Sequence, residues 1–377
     1  MVSYIEPRVS LDDTKKIDEY DKIAKRLGII GFAIFGHEYK IEPKDKGRSY
    51  HSVEHISRLE INENQVESIR KLLPNKRYQY ELLSIRTTSA KVAQWVVKDN
   101  RVDILSIPYE SLRELITQPL ANVAAENKTF IELELNPLIF ESKSNKSIYL
   151  RNIRRILSIL LQENTPFILS CSVTNPYMFR TKRAIIALAK TIGIPDVIMK
   201  SNMDDFYNRI KLNREKLSDK IVAPGIWIID KKPKEKGKKA NKKIKSEKLI
   251  EISKLELENL ISESKSVKDQ ERQRYLLFEI IKDTKESIVD KDLMDTFWKI
   301  FTGFYGIFNS SQSGVYLTKY DEKTALGILR CGHQSLNYVR AALALISKIN
   351  KINVIIHVMK TSGTLKNLIA LTKKKER

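Results

Sequence analysis

The chain predicts an α/β TIM-like barrel followed by an α+β ferredoxin-like, RRM-like sandwich, the two joined by a Lys-rich linker. Three observations carry that expectation. Short apolar runs alternate with amphipathic stretches through residues 1–230, and a β–α–β–β–α–β–α pattern fills residues 271–377. Between them "DKKPKEKGKKANKKIKSEK", residues 230–248, holds ten lysines, no aromatic residue and one branched aliphatic side chain, Ile244. A run with so little apolar material has nothing to pack, so residues 231–270 read as a solvated tether, with "LIEISKLELENLISESKSVKDQ" as a possible short helix within it.

Eight runs in the first segment read as strands: "YIEPRV", "IIGFAIFG", "YELLSIRTT", "VDILSIPY", "TFIELELNP", "PFILSCSV", "DVIMKSN" and "PGIWIID". Strands that are apolar nearly throughout are buried on both faces, as in a parallel sheet covered by helices. The stretches between them, such as "TKKIDEYDKIAKRLG" and "RTKRAIIALAKTIG", carry apolar residues at three- and four-residue spacing and close on Gly, where a helix C-terminus prefers it. Eight such units in 230 residues predict a closed barrel over an open sheet. The gap from Gly36 to Pro74 is too long for one loop and helix, so an insertion or short extra element is expected around "HSVEHISRLEINENQVESIRKLL".

Chemistry in such barrels sits on the loops after the strand C-termini. Those positions read His37-Glu38, Arg86 to Ser89, Pro108-Tyr109, Asn136-Pro137, Asn175-Pro176 and Lys200 to Asn202. A metal-dependent hydrolase needs several His and Asp/Glu side chains converging from different strands, and one histidine stands at these ends. His51 and His55 share a helical face at i, i+4 but lack the intervening Glu of a zinc protease. No catalytic side chain and no metal ligand is expected. The residues that do stand out are cations: Arg86, Lys200, and the cluster Arg180, Lys182 and Arg183 at the start of a helix, where free backbone N–H groups favour a phosphate. Glu132 and Glu134 share one strand face and would need partners inside the barrel, Arg86 being the expected one.

In the third segment the strands "RYLLFEII", "SGVYLTKYD", "TALGILRCGH" and "INVIIHVMK" alternate with helices "DKDLMDTFWKIFTGFYG" and "SLNYVRAALALISKI", and "GTLKNLIALTKKK" follows. The middle pair, joined by "DEKT", reads as a hairpin, and the whole as a split βαβ sandwich. Its third strand, "ALGILRC", has no aromatic residue, and Tyr275 and Phe278 point to opposite faces, so base stacking on the sheet is not expected. Phe297, Trp298, Phe301, Phe304 and Tyr305 read as core or subunit interface, and His333 and His357 as structural. Arg272, Arg274, Lys319, Arg330, Arg340 and Lys373, Lys374 and Lys375 remain as phosphate-facing candidates, and "TSGTLK" offers a helix start with free amides.

Charge points the same way. Residues 1–230 carry 36 basic and 29 acidic side chains, 231–270 carry 13 and 7, and 271–377 carry 18 and 10, within a net +21. Every segment shares the excess, which a lysine-rich tether alone would not produce, so a polyanionic partner is expected. Cys171 and Cys331 lie in different halves without a CxxC or Cys/His neighbour, which fits a reducing cytoplasm. No apolar run approaches ~18 residues and the N-terminus does not read as a signal peptide, so no membrane is expected.

The motifs "RLGIIGFAIFG", "RVDILSIP", "ELELNPLI", "NIRRILSILLQENTPFILSCSVTNPYMFRTKRAIIALAKTIGIPDVIMKSN" and "NREKLSDKIVAPGIWII" resemble, in that order, the TIM-barrel-like protein component 3 of archaeal ribonuclease P. "RYLLFEI", "LTKYDEKTALGILRCGHQSLNYVRAALALI" and "SGTLKNLIALTKK" resemble its protein component 2. The double resemblance implies a fusion of two subunits of the ribonucleoprotein endonuclease that removes the 5′ leader of precursor tRNA. It implies binding to the catalytic part of ribonuclease P RNA, contact with precursor tRNA and other ribonuclease P protein subunits, and a homodimer through the C-terminal domain. It also implies Mg2+ held on the RNA, with no cofactor bound by the protein. The alternatives are a stand-alone metal-dependent phosphoesterase barrel, which would turn over substrate without RNA, and a general RNA-binding scaffold.

Overall fold

Six of the eight apolar runs are barrel strands in the computed structural model, which describes residues 4–11, 16–36, 53–140, 143–217, 221–223, 226–227, 272–365 and 367–368. They are β1 (Ile5–Ser10), β2 (Gly31–Phe35), β4 (Leu82–Arg86), β5 (Ile104–Ser106), β6 (Phe130–Glu134) and β7 (Phe167–Ser170). A further strand, β3 (Glu54–Asn62), fills the long gap after β2, so the stretch expected to be an insertion is part of the barrel wall. Its inward positions include Arg58 and Glu60, which hide the apolar signature of a buried strand. His55 therefore lies on a strand and not on a helical face; its Nε2 meets Asp21 Oδ1 at 2.7 Å.

The seven strands run parallel in the order β1 to β7. The ring nearly closes through a single bridge between Val9 and Val173, where the Ser10 N–H donates to Val173 O at 2.7 Å and the Val173 N–H to Arg8 O at 2.9 Å. Helices α1 (Ile17–Leu27), α2 (Val66–Lys76), α3 (Ala90–Val96), α4 (Leu112–Leu115), α5 (Gln118–Asn127), α6 (Asn136–Phe140), α7 (Lys143–Gln162) and α8 (Lys182–Ile192) occupy the connections. The run "DVIMKSN" is not a strand: it opens α9 (Asp196–Leu217). Its buried residues Met199, Met203, Phe206 and Ile210 recur at helical spacing, and Phe206 and Ile210 plug the barrel floor among Ile5, Leu82, Ile104 and Phe130 at the strand starts. The expected eighth strand is likewise outside the ring, since β8 (Ile221–Ala223) pairs antiparallel with β9 (Ile226–Trp227).

The second unit has a five-stranded sheet in the order β11-β12-β10-β14-β13, built from β10 (Gln273–Lys282), β11 (Tyr316–Asp321), β12 (Leu326–Gly332), β13 (Lys348–Ile349) and β14 (Ile352–Ser362). Helices α10 (Asp290–Ser311) and α11 (Leu336–Leu345) cover one face. The expected hairpin is present: the Asp321 carboxylate accepts the Lys323 N–H at 3.0 Å and the Thr324 hydroxyl at 2.7 Å, fixing the turn. Phe278 packs with Leu276, Phe297 and Phe301 in the core, over Gly327 on the next strand, where a Cβ would lie 2.3 Å from the ring. Tyr275 faces the opposite side, against Leu277, Ile328 and Leu368. The lysine-rich connection, its possible helix and Lys373 to Lys375 lie outside the described residues.

The two units dock side by side. Ile281, Ala341, Ala344, Leu345 and Ile355 of the sandwich join the same apolar cluster as Ile185, Leu188 and Ile192 of α8. The aromatic stripe of α10 divides accordingly. Phe297 and Phe301 are core, whereas Phe304 packs on the barrel cluster and the Tyr305 hydroxyl meets Thr191 Oγ1 at 3.1 Å.

Candidate nucleic-acid interface

The barrel mouth, where a catalytic barrel would keep its acids and metal, is occupied by three arginines and three glutamates facing one another. Arg58 on β3 donates to Glu132 Oε1 and Oε2 at 3.0 and 2.7 Å, to Glu60 at 3.1 Å and to the Pro7 carbonyl at 2.7 Å. Arg8 on β1 bridges both Glu60 oxygens at 2.9 and 2.7 Å and reaches Glu134 at 3.1 Å. Arg86 closes the set on Glu134 and Ser106. Arg86 was the expected partner of both Glu132 and Glu134; it takes Glu134, and Arg58, on the strand not foreseen, takes Glu132. Burial alone would raise the Glu132 carboxyl, but the Arg58 charge and hydrogen bonds, with Arg8 behind them, hold it down to about 2. The formal charges of the six cancel. Among the described residues, no three His, Cys, Asp or Glu side chains gather into a group that could hold a metal ion.

Beneath this network Glu6 is fully buried. It takes the Tyr4 hydroxyl at 2.7 Å and the Cys171 N–H at 2.9 Å, and burial pushes it up to about 7 despite those hydrogen bonds. The floor holds a second polar set: Asp103 accepts the Leu83 N–H at 2.9 Å, Asn213 at 3.0 Å and Arg77 at 3.2 Å, while Arg214 of α9 binds Glu81 and Glu54. Side chains of α9 thus tie the plug to the strands.

The cations expected to meet phosphate are distributed unevenly. Arg180 is 2% exposed and is a fastener between the units: it donates to Ala344 O and Ile346 O of the sandwich and to Tyr177 O and Phe179 O of the barrel. No face of its guanidinium is left for a phosphate. Nothing in its sequence context, between Phe179 and Thr181, marks it as buried. Arg26 crosses the same seam to both Glu279 oxygens at 3.2 and 3.1 Å, and Glu279 also meets His357 Nδ1 at 3.1 Å. Thr181 caps α8, its hydroxyl accepting the Ala184 N–H at 3.2 Å. Lys182 follows it, and Lys200 lies on α9 in place of a strand end. The Lys182 ammonium is lowered by burial, and Lys200 adds to that against Asp204.

Arg183 is exposed and donates to Met359 O of β14 at 3.2 Å, and Arg340 on α11 donates to Thr361 Oγ1 of the same strand at 2.6 Å. Arg272 is exposed just before β10, and Arg274 lies on that strand, which pairs with this end of β14. On the outer sheet face the register sets Tyr316, Arg330 and Tyr275 abreast, with the Arg330 guanidinium 5.6 Å from the Tyr316 ring centroid, and Lys319 borders a hollow with Leu277 and Ile328. Among the described residues no carboxylate lies within ion-pair reach of Arg272, Arg274, Arg330 or Arg340. No described helix is long and apolar enough to cross a membrane.

The barrel mouth is filled by its own ion pairs, and the barrel is fastened to a sandwich whose described arginines face no acid among the described residues. Comparison with known proteins makes this specific. Through residues 3–219 the chain belongs to the family of RNase P subunit p30, and residues 274–370 match the Rpp14/Pop5 family, so both halves are those of ribonuclease P protein subunits. Ribonuclease P protein component 3 of Haloarcula marismortui is 22% identical over 212 residues, spanning 56% of this chain and 87% of that protein. Component 2 of Pyrococcus horikoshii is 35% identical over 102 residues, spanning 26% of this chain and 81% of that protein. The barrel fold is shared with a chain of archaeal ribonuclease P solved with mature tRNA, at a TM-score of 0.51 and 22% identity, over 61% of this chain and all of the other.

Proposed function

We propose that this chain is a two-in-one scaffold of ribonuclease P that binds the catalytic part of the RNA, contacts precursor tRNA and the other protein subunits, and leaves cleavage to Mg2+ held on the RNA. The observation that carries the reading is the docked seam: halves related to two separate ribonuclease P components share one apolar cluster, fastened by Arg180 and by Arg26 with Glu279. Joining them replaces bimolecular docking by an intramolecular step at an effective concentration in the mM range. The neutralised mouth supports a bracing role, because its carboxylates are held by guanidinium groups and none is free to act as base. Cytoplasmic location goes with this reading.

A homodimer through the C-terminal domain is part of the proposal. Gly306, at φ 75°, breaks α10 and turns out its last residues, where Ile307 and Phe308 are 82% and 73% exposed. Apolar side chains so exposed are a self-association surface of the right kind. Ile307→Asp with Phe308→Asp should halve the mass in light scattering, and an unchanged mass would remove the dimer.

Reconstitution tests the whole. Leader cleavage of precursor tRNA that needs both the cognate RNA and this chain supports the reading. Cleavage by the protein freed of RNA, or equal cleavage by the RNA without the protein under the same salt, would overturn it.

A further inference from the structure

Three guanidinium groups from separate elements gather along five residues at the end of β14. Arg183, in the first turn of barrel helix α8, donates to Met359 O at 3.2 Å. Arg340, on α11, donates to Thr361 Oγ1 at 2.6 Å, and its Nε is buried without an acceptor. Arg274, on β10, donates from Nη1 to the Gln273 carbonyl at 3.1 Å and lies against Gly363, that nitrogen 3.3 Å from the place a Cβ there would take. Among the described residues none of the three faces a carboxylate. Burial lowers the Arg340 guanidinium below its ordinary value and the charge of Arg183 lowers it further. Cations held together without a counter-charge repel one another, and an anion in their midst removes that cost.

We propose that Arg183, Arg340 and Arg274 form a composite clamp for an RNA backbone phosphate, assembled only when barrel and sandwich are docked. Planar guanidinium forks match phosphate oxygens, and Arg183 stands exposed at the rim, which suits a polymer passing across the seam. One consequence is linkage. A phosphate gripped from both sides favours the docked arrangement by the same factor by which docking favours RNA binding. The clamp rests on the reading of the chain as a ribonuclease P subunit and adds to it where the two halves jointly hold the RNA.

The test uses the full chain and its cognate ribonuclease P RNA, with affinity measured across a salt series. Arg183→Gln, at an exposed position, should keep the thermal transition of the parent, weaken binding several-fold at low salt, and reduce the log–log salt slope by part of the roughly 0.9 that one phosphate supplies. Arg340→Gln should act alike, Arg340→Lys should retain the slope, and the double Gln variant should cost less than the product of the two singles because they share one phosphate. In the parent, RNA should slow amide exchange over residues 359–363. A parent that binds with an affinity and slope unchanged by Arg183→Gln overturns the clamp alone. A parent that does not bind the RNA overturns the ribonuclease P reading and the clamp with it. Polyglutamate binding with the same dependence on Arg183 would reassign the site to an acidic protein and overturn the assignment to RNA.

Discussion

Arginine does opposite work in the two halves of this molecule. In the barrel, Arg8, Arg58, Arg77, Arg86 and Arg214 each face a carboxylate of the same unit. In the sandwich, Arg272, Arg274, Arg330 and Arg340 face none among the described residues. Burial explains the difference. A guanidinium inside a strand ring has no water, so it persists only where acids pay its desolvation, whereas one on a rim or sheet face keeps part of its guanidinium in water even where, as at Arg330 and Arg340, its Nε is buried. Composition alone would rank the halves nearly alike, with excesses of seven and eight positive charges. The fold decides which of those charges a partner can reach.

The sharpest way to break this contrast is at Glu132. Glu132→Gln leaves the fully buried Arg58 opposite a neutral amide with Glu60 as its remaining carboxylate, so the loss should lie at the lower end of the roughly 3–5 kcal/mol that breaking a buried pair costs. Urea unfolding should show that loss. Replacing both partners by apolar residues of similar size should recover most of it. If Glu132→Gln unfolds like the parent, the interior network is not what holds the mouth.

Glu6 gives the next largest effect and its sign is opposite to that of Glu132. With its folded carboxyl raised to about 7 against an ordinary 4.5, the native state binds more protons than the unfolded chain between those values. Stability from this group is present below about pH 4.5 and falls as pH rises to about 7. Glu132, held down to about 2, contributes stability that is present above 4.5 and lost as pH falls toward 2. Glu6→Gln cannot ionise, so the stability difference between it and the parent should move in favour of the variant by about 3 kcal/mol from pH 4 to pH 8. A pH-independent difference would show that Glu6 titrates normally.

How much of this was legible in the sequence follows from where charges sit. The apolar strands β1, β2 and β4 to β7 announce themselves because both faces are buried. β3 does not, because its inward face carries Arg58 and Glu60, so half its alternation is polar and the pattern reads as an insertion. The first seven residues of α9, "DVIMKSN", read as a strand because they are short and apolar at the centre, although the spacing of Met199, Met203, Phe206 and Ile210 carries the helical period. At the site, the need of Glu132 and Glu134 for partners was readable from strand alternation, but the partner of Glu132 was not, because a pairing 74 residues apart depends on a strand that had not been recognised. Arg183, Arg274 and Arg340 are each visible as cations; the sandwich fold brings Arg274 and Arg340 to one strand end, and docking adds Arg183.

Arg180 tests the fastening between the two regions. Arg180→Met keeps much of the aliphatic stem but strands the Ala344 and Ile346 carbonyls, for a cost of about 2 kcal/mol. The loss should be local, with faster amide exchange in α11 while the strands of the barrel remain protected. A uniform loss across both units would mean that the seam and the barrel unfold as one.

The smallest effect is expected at Arg330, and its smallness is the point. Among the described residues this side chain has no carboxylate to lose, its Nε is buried without an acceptor, and its guanidinium lies over the Tyr316 ring. Arg330→Gln removes a cation–π contact worth about 0.5–1 kcal/mol at an exposed site and also removes an unsatisfied donor, two terms of opposite sign. Thermal unfolding should therefore shift by less than about 1 kcal/mol, against several for Glu132→Gln. RNA affinity is the quantity that separates the two substitutions: the Arg330 variant should fold like its parent and bind RNA more weakly, with a shallower salt dependence. If Arg330→Gln instead destabilises the fold as strongly as a barrel substitution, the sandwich holds its arginines for structure, as the barrel does, and the division of labour between the halves fails.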